Sequence, residues 1–224
     1  MKPLTRTIFF FLCFLSSASG RAQAIFSMAS DFNLQRSVKT GQEYWAVGQI
    51  VSVQFNFTPK DAAYAWVGYF GYGRIRNEGL LAEVKEPSTI PFVIRYDNRT
   101  KMRYKHVSLG WKHYFTGSAT SERQPGIYSL AGLGILLGQV VNTHSTPIDT
   151  ALYNMPVLAG TAHFKRLTLD LGLGFELPIG GDLYLYSELK TILPLTDYPS
   201  PYILDNKYTP YTAMAALGFR IMFN

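Results

Sequence analysis

One cysteine, few charges and no long apolar run after the N-terminus set the first limits on this 224-residue chain. Cys13 lies inside an N-terminal apolar stretch, so the chain beyond residue 24 holds no disulfide. Charged residues make up 16%, below the share of about a quarter usual for soluble domains. No stretch after residue 24 holds about 18 uninterrupted apolar residues, so no transmembrane helix is indicated. The four histidines, His106, His113, His144 and His163, are dispersed. No His/Asp/Glu cluster shows metal-ligand spacing, and neither a metal nor another cofactor is expected. Gly68, Gly71 and Gly73 interleave with Tyr69, Phe70 and Tyr72, but no helix follows to make them a phosphate loop. Their expected role is to relieve crowding beside aromatics in a curved sheet.

What is present begins with an expected export signal over residues 1–24. Lys2 and Arg6 precede the apolar run Ile8–Leu15, and Ala22-Gln23-Ala24 reads as a small-x-small cleavage site. The run is too short to span a bilayer as a helix. Phe14 follows Cys13 where a lipoprotein signal needs a small residue, so lipidation is not expected. Removing Lys2, Arg6 and Arg21 takes the net charge from +6 to +3, and no nucleic-acid partner is expected.

From residue 25 to 224 the chain alternates with period two in segments of strand length. Leu167, Leu169, Leu171, Leu173, Phe175 and Leu177 share one face. Arg166, Thr168, Asp170, Gly172, Gly174 and Glu176 share the other. A strand separates two such sets, whereas a helix scatters them. Tyr44–Phe57, Leu183–Leu193 and Thr212–Phe223 repeat the pattern. Phe26–Arg36, Ala62–Arg74, Lys101–Phe115 and Gly126–Val141 follow it less cleanly; Leu130, Leu136 and Val140 fall on the otherwise polar face of the last. The count is about eight strands.

Turn chemistry places short connections at Thr58–Asp61 and Pro178–Asp182, with a somewhat longer polar one at Gly117–Pro125. Longer irregular stretches are expected at Ser37–Glu43, Ile75–Thr100, Asn142–Gly160 and Thr196–Pro210. Short and long connections alternate, as in outer-membrane barrels with short periplasmic turns and longer outer loops. The fold expected is therefore all-β: a single antiparallel up-and-down transmembrane β-barrel. Its polar face is rich in glycine and carries both signs of charge, through His106, Lys112, Arg166, Asp170, Glu176, Glu188, Lys190 and Arg220. Such a set suits a crowded lumen in which buried charges pair. Tyr44, Trp45, Trp111, Tyr114, Tyr128, Tyr184, Tyr208 and Tyr211 lie near strand ends and are expected to form aromatic girdles.

The closing segment Gly218-Phe219-Arg220-Ile221-Met222-Phe223 looks like the C-terminal signal read by the barrel-assembly machinery, although Asn224 follows the aromatic. With the leader and the strand layout, residues 25–224 resemble the small OmpA/OmpX-type outer-membrane β-barrel family. The resemblance implies a bacterial outer-membrane address and contact with the assembly machinery through the strand ending at Phe223. Outer-membrane lipid and lipopolysaccharide are the expected surroundings. A porin-like lumen is expected to be filled rather than open at this size.

One pair invites a catalytic reading. His106 and Ser108 share a strand face, so the imidazole could activate the hydroxyl. The pair loosely resembles the His-x-Ser of outer-membrane lipid A deacylases, but Leu109 stands where that family has Asn. Glu122 and Glu83 are the acids considered for a third member. Because Val107, Leu109 and Trp111 form the apolar face, His106 and Ser108 are expected to face the lumen, away from lipid. No catalytic residue is assigned. The leading expectation is a non-enzymatic envelope-integrity, structural or surface-interaction protein, with any extracellular ligand at the loops Ile75–Thr100 and Asn142–Gly160. The alternatives are a lipid A-modifying hydrolase and a periplasmic lipocalin-like binder of apolar ligands, which would need the leucine face turned inward.

Overall fold

The structure, a computed structural model, describes residues 25–121, 123–197, 200–205 and 207–223. The expected leader, Glu122 and Asn224 lie outside the described residues. Nine strands form one antiparallel sheet among the described residues. These are β1 (Ile25–Ser37), β2 (Tyr44–Asn56), β3 (Asp61–Val84), β4 (Val93–Thr116), β5 (Gly126–His144), β6 (Tyr153–Asn154), β7 (Gly160–Gly180), β8 (Leu183–Pro194) and β9 (Thr212–Phe223). Eight of them close a ring, because β9 returns to pair with β1 from Phe26↔Phe223 to Ser37↔Thr212. Closure leaves no bare sheet edge where the wall would meet lipid. The two-residue β6 is attached outside the ring, pairing with the far end of β3 through Glu83 and Val84.

The alternation read from the sequence sets the facing. Leu167, Leu171, Leu173, Phe175 and Leu177 are exposed on the outer wall, while Arg166, Thr168, Asp170 and Glu176 are buried inside. The register extends the outer face across strands. One row runs Val67–Val107–Ile135–Leu167, and the next runs Ala65–Leu109–Leu133–Leu169. A soluble barrel that buries its leucines is therefore not what this chain builds. Leu130, Leu136 and Val140 are buried in the lumen, the side on which their parity put them.

Two features depart from the sequence reading. The stretch Ile75–Thr100, expected to be an irregular loop, is mostly strand: β3 and β4 are 24 residues each and continue as a hairpin. A spanning strand needs about 9–11 residues, so the hairpin projects well beyond the apolar band. Alternation persists there with its polarity inverted. Arg74, Arg76, Arg95 and Arg99 point out, while Ile75 and Tyr96 are buried. Water outside this part makes charge-out and apolar-in the stable arrangement, so the pattern of the wall does not carry over. The loop after β5 folds over this hairpin, packing Tyr153, Ile148 and Met155 against Ala82 and Tyr96 and placing β6 on the edge of β3. The stretch Asn142–Gly160, expected to be a loop, thus includes a strand.

The second departure concerns the girdles. Trp45, Trp111, Tyr208 and Tyr211 are on the outer surface, but Tyr44, Tyr114, Tyr128 and Tyr184 are buried in the lumen. Nearness to a strand end does not decide facing; parity does. Tyr44 and Trp45 are neighbours in sequence and point to opposite sides. On the short-turn end Trp111 stacks on Phe57 with centroids 5.5 Å apart, and its Nε1 donates to Asp61 at 3.1 Å.

Glycines make room for the lumen rings. A Cβ on Gly138 would sit 2.1 Å from the Phe164 ring, and one on Gly134 would sit 2.3 Å from His106 Nε2. Gly138→Val is expected to destabilise the barrel by about 1–3 kcal/mol through overpacking. The midpoint of urea unfolding from lipid vesicles measures it, and an unchanged midpoint would contradict the packing described.

Candidate functional site

The lumen is filled by side chains from all eight ring strands, with large apolar side chains toward the long-loop end and ion pairs toward the short-turn end. Near the loops, Ile50, Phe70, Leu136, Val140, Phe164 and Ile192 are fully or almost fully buried. Phe70 stacks on Tyr104 with centroids 4.9 Å apart. Toward the turns, Arg220 Nε donates to Glu176 Oε2 at 3.0 Å, and a second nitrogen of the same guanidinium bonds the other carboxylate oxygen. Lys112 Nζ lies 3.8 Å from Glu176, donates to Gln54 at 3.1 Å, and sits 3.6 Å from the Tyr128 ring centre. Glu188 is ion-paired with Lys190 and accepts from the Tyr128 hydroxyl at 2.7 Å. Asp31 accepts from Tyr186 at 2.7 Å. The inward charges named from the sequence are thus inside, and of the tyrosines misplaced as girdle residues Tyr114 donates to Glu176, Tyr128 to Glu188, and Tyr184 stacks under Arg220.

Both ends of this core are covered. At the turn end Ala119 is buried beneath the ring, its N–H donating to Pro59 O at 2.8 Å and its carbonyl accepting from Arg220 at 2.9 Å. At the loop end Asn142 Nδ2 donates to the carbonyls of Leu158 (3.0 Å) and Tyr202 (2.7 Å), tying two loops together. Arg166 Nε holds the Thr209 carbonyl at 2.9 Å, and Val157, Ile203 and Thr209 are buried.

His106 and Ser108 face this interior, as their parity required. Both are buried. His106 Nε2 is 2.8 Å from Thr168 Oγ1 and 3.6 Å from Asp170, and its ring meets Trp66 edge-on. The Ser108 hydroxyl donates to the Leu133 carbonyl at 3.3 Å. The acid beside His106 is Asp170. Glu83 is opposite Val93 at the far end of the hairpin, and Glu122 lies outside the described residues. Strand parity put Asp170 on the inward face, but only the register across three strands, His106↔Leu136↔Arg166, brings β7 to the level of His106. The cluster is buried on the lumen side of β4, with Val107 and Leu109 on the outer side.

The outer wall has a chemical boundary of its own. Immediately above the row Val67–Val107–Ile135–Leu167, the next outward row is Tyr69–Lys105–Leu137–Lys165. The row above contains Arg103–Gln139–His163, and the following one Arg74–Lys101–Val141–Thr161. All these cations are exposed. Arg103 Nε donates to Gln139 Oε1 at 2.7 Å, which fixes the guanidinium along the wall.

No protein-family model matches the chain, and no curated protein matches its sequence. Solved structures do match. Neisserial surface protein A is 12% identical, with 88% of this chain and 97% of that one covered and a TM-score of 0.54. A major outer membrane protein of Thermus thermophilus is 14% identical, with 90% and 100% covered and a TM-score of 0.52. The chain has the fold of the small OmpA/OmpX-type outer-membrane barrels. In the OmpA/OmpX-type fold of this chain, the ring, the outward apolar rows and the ionic interior account for the residues that the sequence marked as inward.

Proposed function

We propose that this protein is an integral outer-membrane barrel with a structural and surface-interaction role, non-conducting and without catalytic activity. The observation that carries the reading is a closed ring with apolar rows outside and an ion-paired, doubly capped lumen inside. An eight-stranded ring is just wide enough for side chains to fill, and here large ones do. The projecting β3–β4 hairpin, braced by β6, gives the barrel an extended surface beyond the bilayer. The likeness to solved outer-membrane barrels supports the address, and the expected leader agrees with it.

The lipid A hydrolase reading loses its support because His106 and Ser108 face the core. The lipocalin-like reading loses its own because the leucines face outward. Conductance across planar lipid bilayers tests the proposal. The purified full chain is expected to leave the membrane silent at the protein densities at which an open porin gives stepwise currents. Steps of defined size would overturn the sealed-lumen reading.

A further inference from the structure

We infer that the outer wall over β3, β4, β5 and β7 carries a binding groove for the phosphorylated headgroup of a lipid in the surrounding leaflet. This rests on the membrane-barrel reading above.

A groove of about 560 Å³ opens on this wall between Tyr69, Arg103, Lys105, Leu137, His163 and Lys165. A second, of about 540 Å³, adjoins it and shares Tyr69 and Arg103, adding Arg74 and Lys101. Gly138 of β5 and the inward Phe164 lie beneath the first.

Three observations point to a phosphate on a lipid. First, the cations are concentrated and lack acidic partners. Between Lys105 and Lys101 on β4, and on the facing stretches of β5 and β7, the outward rows contain no Asp or Glu. The ion pairs of this wall, Arg76 with Glu78 and Asp97, occur higher on the hairpin. Across the barrel at the loop end, Arg36 is already paired with Glu43 at 3.0 Å. Second, the site is poised for an anion: Gln139 orients Arg103 beside Lys105, and a planar guanidinium next to an ammonium suits phosphate oxygens. Third, the groove sits one row above aliphatic wall. Leu137 lies between Lys105 and Lys165, and Ile135 and Leu167 are directly beneath. A ligand that fills it must put charge at the cations and hydrocarbon against the leucines. A soluble anion satisfies only the upper half.

The test uses the full chain folded in detergent, with native mass spectrometry reading occupancy. Folding is checked separately by the mobility shift between boiled and unboiled samples. The probes are diphosphorylated lipid A, the same lipid stripped of phosphate, and inorganic phosphate. Phosphorylated lipid A is expected to be retained about tenfold better than the phosphate-free form, with millimolar inorganic phosphate failing to displace it. The variant K105Q/K165Q is expected to lose that preference while keeping the mobility shift, and R36Q, on the opposite wall, to keep both. Equal retention of the two lipids by folded protein would overturn the site, as would a preference unchanged in K105Q/K165Q. Displacement by inorganic phosphate would overturn the assignment to a lipid. Failure of the wild-type chain to show any mobility shift would overturn the membrane-barrel reading on which the site stands.

Discussion

Replacing Glu176 by leucine is expected to lower the unfolding free energy of the inserted barrel by about 3–5 kcal/mol. Glu176 is the buried acid that meets Arg220 through two nitrogens and lies 3.8 Å from Lys112. Arg220 also holds the Ala119 carbonyl that closes the turn end. Removing the carboxylate leaves a buried guanidinium with one backbone acceptor and lets the lower seal loosen. The cost comes from the orphaned cation rather than from the intrinsic worth of the pair. Accordingly E176L/R220M, which removes both charges, is expected to recover most of the loss. Urea titration from vesicles measures both variants. A double variant as unstable as E176L would show that the pair itself, not the orphaned charge, carries the energy.

The second large effect is expected on the outer face. Leu133 is exposed in the apolar row Ala65–Leu109–Leu133–Leu169. Leu133→Arg is expected to cost about 2–4 kcal/mol, the range for a cation at the bilayer midplane. The same side-chain chemistry is native three outward positions higher on the adjacent strand, at Arg103. The contrast between Leu133→Arg and Leu137→Arg isolates depth, because both lie on β5 and point outward. Leu137 belongs to the row of Lys105 and Lys165, where an arginine is expected to be nearly neutral. Equal costs at the two sites would place the bilayer boundary elsewhere on the wall.

How far the sequence told this in advance varies along the chain. For β7 and β9 it told nearly everything, because the outward face was apolar without a break and the inward one carried the charges Arg166, Asp170, Glu176 and Arg220. Facing follows from parity once water is known to be inside or outside, and the ionic set from His106 to Arg220 settled that choice. The projecting hairpin was hidden for a physical reason. Past the apolar rows the outer face of β3 and β4 turns basic while the inner face carries Tyr96, Asn98, Thr100, Met102 and Tyr104, so from Arg95 to Lys105 the alternation continues without its apolar set outside. A search for continued outward hydrophobicity stops at Lys101. The tyrosines near strand ends misled because the lumen also needs hydroxyls there: Tyr128 and Tyr114 donate to Glu188 and Glu176. The neighbour of His106 was illegible because strand pairing offsets are set by the whole ring, and no local spacing relates residue 106 to residue 170.

Which face of the wall meets lipid decides between a membrane barrel and its inside-out alternative. The chain's one cysteine, Cys13, lies in the expected leader, so single cysteines can be read against a clean background. The most direct measurement places them in turn at Leu133, Ile135 and Leu173, and at Leu130, Leu136 and Thr168, in the vesicle-inserted barrel. Each is then exposed to a maleimide probe confined to the hydrocarbon phase. Cysteine at Leu133, Ile135 and Leu173 is expected to label, and cysteine at Leu130, Leu136 and Thr168 to stay unlabelled until the barrel is unfolded. Labelling of the second set with protection of the first would contradict the account and turn the barrel inside out.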